Sequence, residues 1–63
     1  MKVLETNKLK SGSTVVLSEW KTEYTNETFW RIEWESADES SRSSIPYQDY
    51  DQAKSTYQNI LKY

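Results

Sequence analysis

Between Val15 and Trp34 the chain places all three of its tryptophans in a stretch that alternates, residue by residue, between apolar and charged side chains. Val16, Trp20, Tyr24, Trp30, Ile32 and Trp34 occupy even positions; Glu19, Lys21, Glu23, Arg31, Glu33 and Glu35 occupy odd ones. A strand turns successive side chains to opposite faces, so a period of two predicts a β-hairpin with an aromatic face and a charged face. A segment patterned in this way is stable only if another element covers its apolar side.

Cross-strand pairing suggests a register. A loop at Asn26-Glu27-Thr28, closed by Thr25 and Phe29, sets Tyr24 opposite Trp30 and Trp20 opposite Trp34. On the other face it sets Glu23 opposite Arg31 and Lys21 opposite Glu33. Moving the loop to 25–27 would instead oppose Lys21 to Arg31 and Glu19 to Glu33, like charges that destabilise a pair. The 26–28 loop is therefore expected, although it leaves Glu19 facing Glu35. Asn26 suits such a loop because its short polar side chain tolerates a left-handed backbone.

The flanking segments supply the remaining layers. Residues 2–10 carry Val3, Leu4 and Leu9 and read as a first strand or an ordered arm, turning at Gly12, the one glycine of the chain. A first hairpin of 2–10 with 14–24 follows. Residues 36–44 are polar and serine-rich and read as a flexible connection. Ser43-Ser44-Ile45 suggests a further short strand, with Pro46 at its end or on a sheet edge.

From Tyr50 onward the period changes to 3.6. Tyr50, Ala53, Tyr57, Ile60 and Leu61 share one helical face, with Lys54, Ser55, Gln58, Asn59 and Lys62 opposite. Asp49 and Gln52 have the spacing of a capping box, so a helix over 50–63 is expected. The sum is one α+β domain over residues 1–63: an antiparallel β-meander of three to four short strands packed on one C-terminal α-helix.

Composition narrows function mainly by exclusion. The 63 residues contain no cysteine and no histidine, which removes disulfides, thiolate metal sites and the usual zinc ligand. Net charge is −2 with both signs interspersed, and mean hydropathy is −0.97. That balance disfavours electrostatic binding to nucleic acid or to an anionic membrane. No apolar run is long enough to span a bilayer, and Glu5, Asn7, Lys8 and Lys10 break up the start of the chain, so a soluble cytoplasmic protein is expected. A core drawn from so few residues is marginal, which keeps a homodimer among the alternatives.

Each candidate site has a plainer explanation beside it. The tryptophans resemble a stacking platform for single-stranded nucleic acid, but a core beneath the helix explains them better. Glu33 with Glu35, and Asp49 with Asp51, are carboxylate pairs without a nucleophile, a base or further metal ligands, so no catalytic residue, metal site or cofactor is expected. Asn26-Glu27-Thr28 matches a glycosylation sequon and is explained as a turn; the serine loop has no recognisable kinase context, so phosphorylation is not expected there.

The charged face remains. Glu19, Lys21, Phe29, Arg31, Glu33 and Glu35 form a candidate partner-binding surface with Phe29 as its apolar anchor. An exposed sheet edge offers a second route to a partner. The function favoured is a small non-enzymatic protein-binding module: an inhibitor, an adaptor or a host-modulating accessory protein, virus-encoded ones included. The alternative is single-stranded nucleic-acid binding through the aromatic sheet face.

Overall fold

In the computed structural model, which describes residues 1–38 and 40–62, the chain forms β1 (Lys2–Lys8), β2 (Thr14–Lys21), β3 (Thr28–Glu35), β4 (Arg42–Tyr47) and α1 (Tyr50–Leu61). The strands lie in the order β1-β2-β3-β4, every neighbouring pair antiparallel, and α1 packs on one side of the sheet. The α+β meander is thus as its periodicities require, with four strands. Residues 2–8 are a strand, joined to β2 by a turn in which Gly12 adopts φ +93°. A β-carbon there would approach the Ala37 β-carbon to 2.9 Å, because the β1–β2 and β3–β4 loops meet at the same end of the sheet.

The central hairpin departs from the expected register. β2 pairs with β3 as Val15↔Trp34, Leu17↔Ile32, Glu19↔Trp30, Trp20↔Phe29 and Lys21↔Thr28. None of the expected pairs forms: not Trp20 with Trp34, Tyr24 with Trp30, Glu23 with Arg31 or Lys21 with Glu33. The loop is longer and earlier, closed by the Thr22 amide donating to the Glu27 carbonyl at 2.9 Å. Asn26 has φ +58° and donates its amide to the Thr22 carbonyl at 3.2 Å, the left-handed role anticipated for it. Tyr24, expected on the aromatic wall, stands at the loop tip with 98% of its surface exposed.

The register moves by an odd number, so β2 shows the opposite face. Its odd residues Val15 and Leu17 join Ile32 in the core, while Val16 and Trp20 turn away from it. Packing explains the outcome. The expected register pairs charges well but leaves two aliphatic residues, Val15 and Leu17, facing water. The observed one buries both completely with Ile32, Ala53 and Tyr57, and each buried aliphatic contributes about 1.5–3 kcal/mol against fractions of that for a cross-strand charge pair.

A bulge in β1 serves the same core. The ladder runs Val3↔Ser18 and then Glu5↔Leu17, leaving Leu4 as the extra residue. Leu4 packs against the core, and Glu5 meets Lys54 of α1 at 2.7 Å. Tyr57 fixes the helix from within. Its hydroxyl donates to the Val15 carbonyl at 3.0 Å and accepts from Asn7 Nδ2 at 3.0 Å.

The helix is as patterned, with Ala53 and Tyr57 buried and Ile60 packed beside them, though Leu61 is 37% exposed. Asp49 occupies the N-cap position, but its side chain makes no capping hydrogen bond, so the expected capping box does not form. The first turn is held instead by the Ala53 amide donating to the Asp49 carbonyl, with Asp51 suiting the helix dipole. Tyr63, included in the expected helix, lies outside the described residues.

The serine-rich segment contributes the first residues of β4 and a hydrogen-bonded loop where a flexible connection was expected. The Asp38 carboxylate accepts from Ser36 Oγ, Ser40 N and Ser40 Oγ at 2.6–3.0 Å, and the Ser36 amide donates to the Ser41 carbonyl. Those donors hold the Asp38 carboxyl down at a pKa of about 2. Glu39 of this segment lies outside the described residues. Pro46 sits in β4, an edge strand, where the missing N–H is tolerated.

Candidate docking face

The changed register divides the expected surface. β3 turns Phe29, Arg31, Glu33 and Glu35 to the side of the sheet away from α1, and there they share one face as expected. Glu19 and Lys21 do not join them. Strand alternation turns both to the helix side, where Glu19 lines a shallow groove with Trp30, Tyr50 and Lys54. Their places on the open face go to Val16, Ser18 and Trp20.

Trp20 is the residue that alternation alone assigned to the wrong side, and it completes a cluster. Its ring stacks on Phe29 with centroids 6.3 Å apart and planes 16° from parallel. The Arg31 guanidinium lies 4.9 Å from the Trp20 ring centroid and 5.7 Å from that of Phe29. Both distances are within reach of a cation–π attraction, worth about 0.5–2 kcal/mol.

Beneath the rings, Trp20 Nε1 donates to Ser18 Oγ at 2.8 Å, and Ser18 is 1% exposed. A buried serine on the helix-free face is explained by the indole lying over it. Both Trp20 and Phe29 stay half-buried, with no helix above them.

The electrostatics of the face run along β3. Arg31 sits at the aromatic end, and its Nε is buried with no hydrogen-bond partner. The ion pairs among the described residues are Lys54–Glu5 and Arg42–Glu35, so no carboxylate there neutralises Arg31. Two and four residues on, Glu33 and Glu35 border a hollow of about 330 Å³ with Thr14, Val16 and Arg42. The face thus carries an aromatic ridge with a cation at one end and, at the other, a polar hollow that holds Glu33 and the Glu35–Arg42 pair.

The other two tryptophans behave as expected. Trp30 and Trp34 pack against the core on the helix side, Trp30 tilted on Tyr50 at 5.7 Å. Neither carboxylate pair gathers further ligands: among the described residues no group of three or more His, Cys, Asp or Glu side chains is placed to hold a metal ion. No described helix is long and apolar enough to cross a membrane.

The sequence contained a sign of Trp20's position that the alternation masked. Over the first half of β2 the odd face carries two aliphatic residues, Val15 and Leu17, whereas the even face holds Val16 between Thr14 and Ser18, so the odd face is the more apolar. Comparison with protein-family models, curated proteins and solved structures finds no match to this chain.

Proposed function

We propose that the chain is a non-enzymatic protein-binding module, an inhibitor, adaptor or host-modulating accessory protein that acts from the cytoplasm by covering a surface of a partner. The observation that carries this reading is the Trp20–Phe29–Arg31 cluster on the side of the sheet that the helix leaves open. Tryptophan and arginine are the residue types that dominate binding energy at interfaces. Here they form a half-buried, preordered group with acidic residues at its flank. Preordering lowers the entropy cost of docking.

The sheet edges fit docking less well. β1 presents Lys2 and Lys8 and a bulge, and β4 contains Pro46, features that discourage strand addition. The test is recovery of partners from the native source on the intact chain and on a Phe29→Ala variant of unchanged circular dichroism. A stoichiometric protein held by the first and lost from the second is expected. Recovery of the chain alone, or equal recovery by both, would overturn the reading.

The stacked Trp20–Phe29 pair also favours a second reading, single-stranded nucleic-acid binding, in which bases stack on the rings beside Arg31. Glu33 and Glu35 on the same face oppose a phosphate backbone. Tryptophan emission unchanged by a mixed-sequence oligonucleotide at low salt would remove this reading.

A further inference from the structure

We infer that the open sheet face also closes on a second copy of this chain, in a two-fold face-to-face dimer whose axis lies between the sheets, perpendicular to the strands and level with Ile32. The inference rests on the docking-face reading and names one occupant of that face.

The open face is self-complementary about that axis. A two-fold axis at Ile32 exchanges residue 31 with residue 33 along β3, so Arg31 of each copy meets Glu33 of the other. The same axis crosses β2 at Leu17, the residue paired with Ile32. It therefore carries Phe29 onto Glu35 and Trp20 onto Thr14. Those two target positions border the hollow that holds Glu33 and the Glu35–Arg42 pair. The aromatic ridge and the hollow thus lie at equal distances on either side of the axis, about 10 Å by strand geometry. Each copy would seat its ridge in the other's hollow, with two Arg31–Glu33 contacts between. An isologous interface demands this reciprocity, residue i meeting j while j meets i.

Shape points the same way. The accessible surface is 4798 Å², whereas a folded monomer of this mass exposes about 4,250 Å². The radius of gyration is 12.1 Å against about 10.6 Å for a compact chain of this length. The molecule is a slab, 15 Å in its shortest dimension, with one sheet face uncovered. Closing two such slabs gives a helix–sheet–sheet–helix sandwich with sheets about 10 Å apart. The protected edges of β1 and β4 direct self-association to the face rather than to strand addition. The face projects roughly 500 Å², at the small end for specific interfaces, so the dimer is weak and exchanging. A second copy and a foreign partner then compete for one surface.

Charge exchange tests this directly. Sedimentation equilibrium of the intact chain over a concentration series from about 1 to 500 μM should show reversible dimerisation. Arg31→Glu or Glu33→Arg alone sets like charges together across the axis and should raise the dissociation constant by about 10- to 100-fold. The double variant Arg31→Glu/Glu33→Arg recreates the pair with reversed polarity and should recover most of the affinity. Glu33→Arg leaves the Trp20–Phe29–Arg31 cluster intact, and circular dichroism of each variant confirms folding.

A chain that stays monomeric throughout overturns the dimer. So does a dimer indifferent to either single exchange, or a double variant no better than the singles. None of these results touches the docking-face reading, which stands or falls on partner recovery by the Phe29→Ala chain.

Discussion

Replacing Tyr57 with phenylalanine tests how the helix is fastened to the sheet. The ring of Tyr57 is fully buried, and its hydroxyl links Asn7 on β1 and the Val15 carbonyl on β2 from a helix more than forty residues away in sequence. Removing the oxygen takes away two hydrogen bonds at about 1 kcal/mol each. The Val15 carbonyl belongs to a fully buried residue, so the bond it loses falls at the upper end of the usual range, about 1.5 kcal/mol. The phenyl ring keeps its packing, so little cavity cost is added. The sum is about 2–3 kcal/mol.

Domains of this length are stable by roughly 3–9 kcal/mol, so the loss is a large share of the total. At about 4–8 °C per kcal/mol, the melting temperature should fall by about 10–20 °C. Urea denaturation at pH 7 measures the change, and an Asn7→Ala variant completes a double-mutant cycle with coupling of about 1 kcal/mol. A loss below about 0.5 kcal/mol with no coupling would refute the bonded, buried hydroxyl.

The same group has a pH signature. Burial raises the Tyr57 phenol above its ordinary value of 10.0. Above pH 10 the unfolded chain therefore loses this proton before the folded one does, and native stability falls as pH rises. The Phe variant should lack that component of the decline.

The remaining predictions concern register, turns and the acidic loop. Leu17→Ala should cost about 2–5 kcal/mol and Val16→Ala under about 1 kcal/mol by chemical denaturation, whereas the expected 26–28 loop would reverse that order. Phe29→Ala should change stability by no more than about 1 kcal/mol in the same assay, because its ring covers no core residue. Gly12→Ala should destabilise by about 1 kcal/mol or more, since φ +93° and the Ala37 side chain at 2.9 Å both oppose a β-carbon. The Asp38 carboxyl, held at about 2 against an ordinary 3.8, supports its loop above pH 4 and releases it as pH falls toward 2. Amide shifts of Ser40 should report that midpoint, and Ser36→Ala should move it upward.

Much of the architecture is legible in the residues. The period of two around Trp30, Ile32 and Trp34, the period of 3.6 through Ala53, Tyr57 and Ile60, the turn at Gly12 and the left-handed Asn26 are local properties, and each appears where its chemistry places it. The Phe29–Arg31–Glu33–Glu35 side of β3 was equally readable, because alternation within one strand needs no knowledge of its neighbours.

What one strand shows its neighbour is a different matter. The choice between Leu17 and Trp20 for the core depends on whether the positions paired across the hairpin sum to an odd or an even number, and a loop of different length reverses it. Charge pairing favoured one answer by tenths of a kcal/mol; burial of Val15 and Leu17 beneath Tyr57 favoured the other by several. That burial is realised only when the helix closes on the sheet. It sends Glu19 and Lys21 to the helix side and brings Trp20 over to Phe29 and Arg31. The sequence by itself determined the elements and their faces; tertiary packing decided which faces meet, and so composed the candidate site.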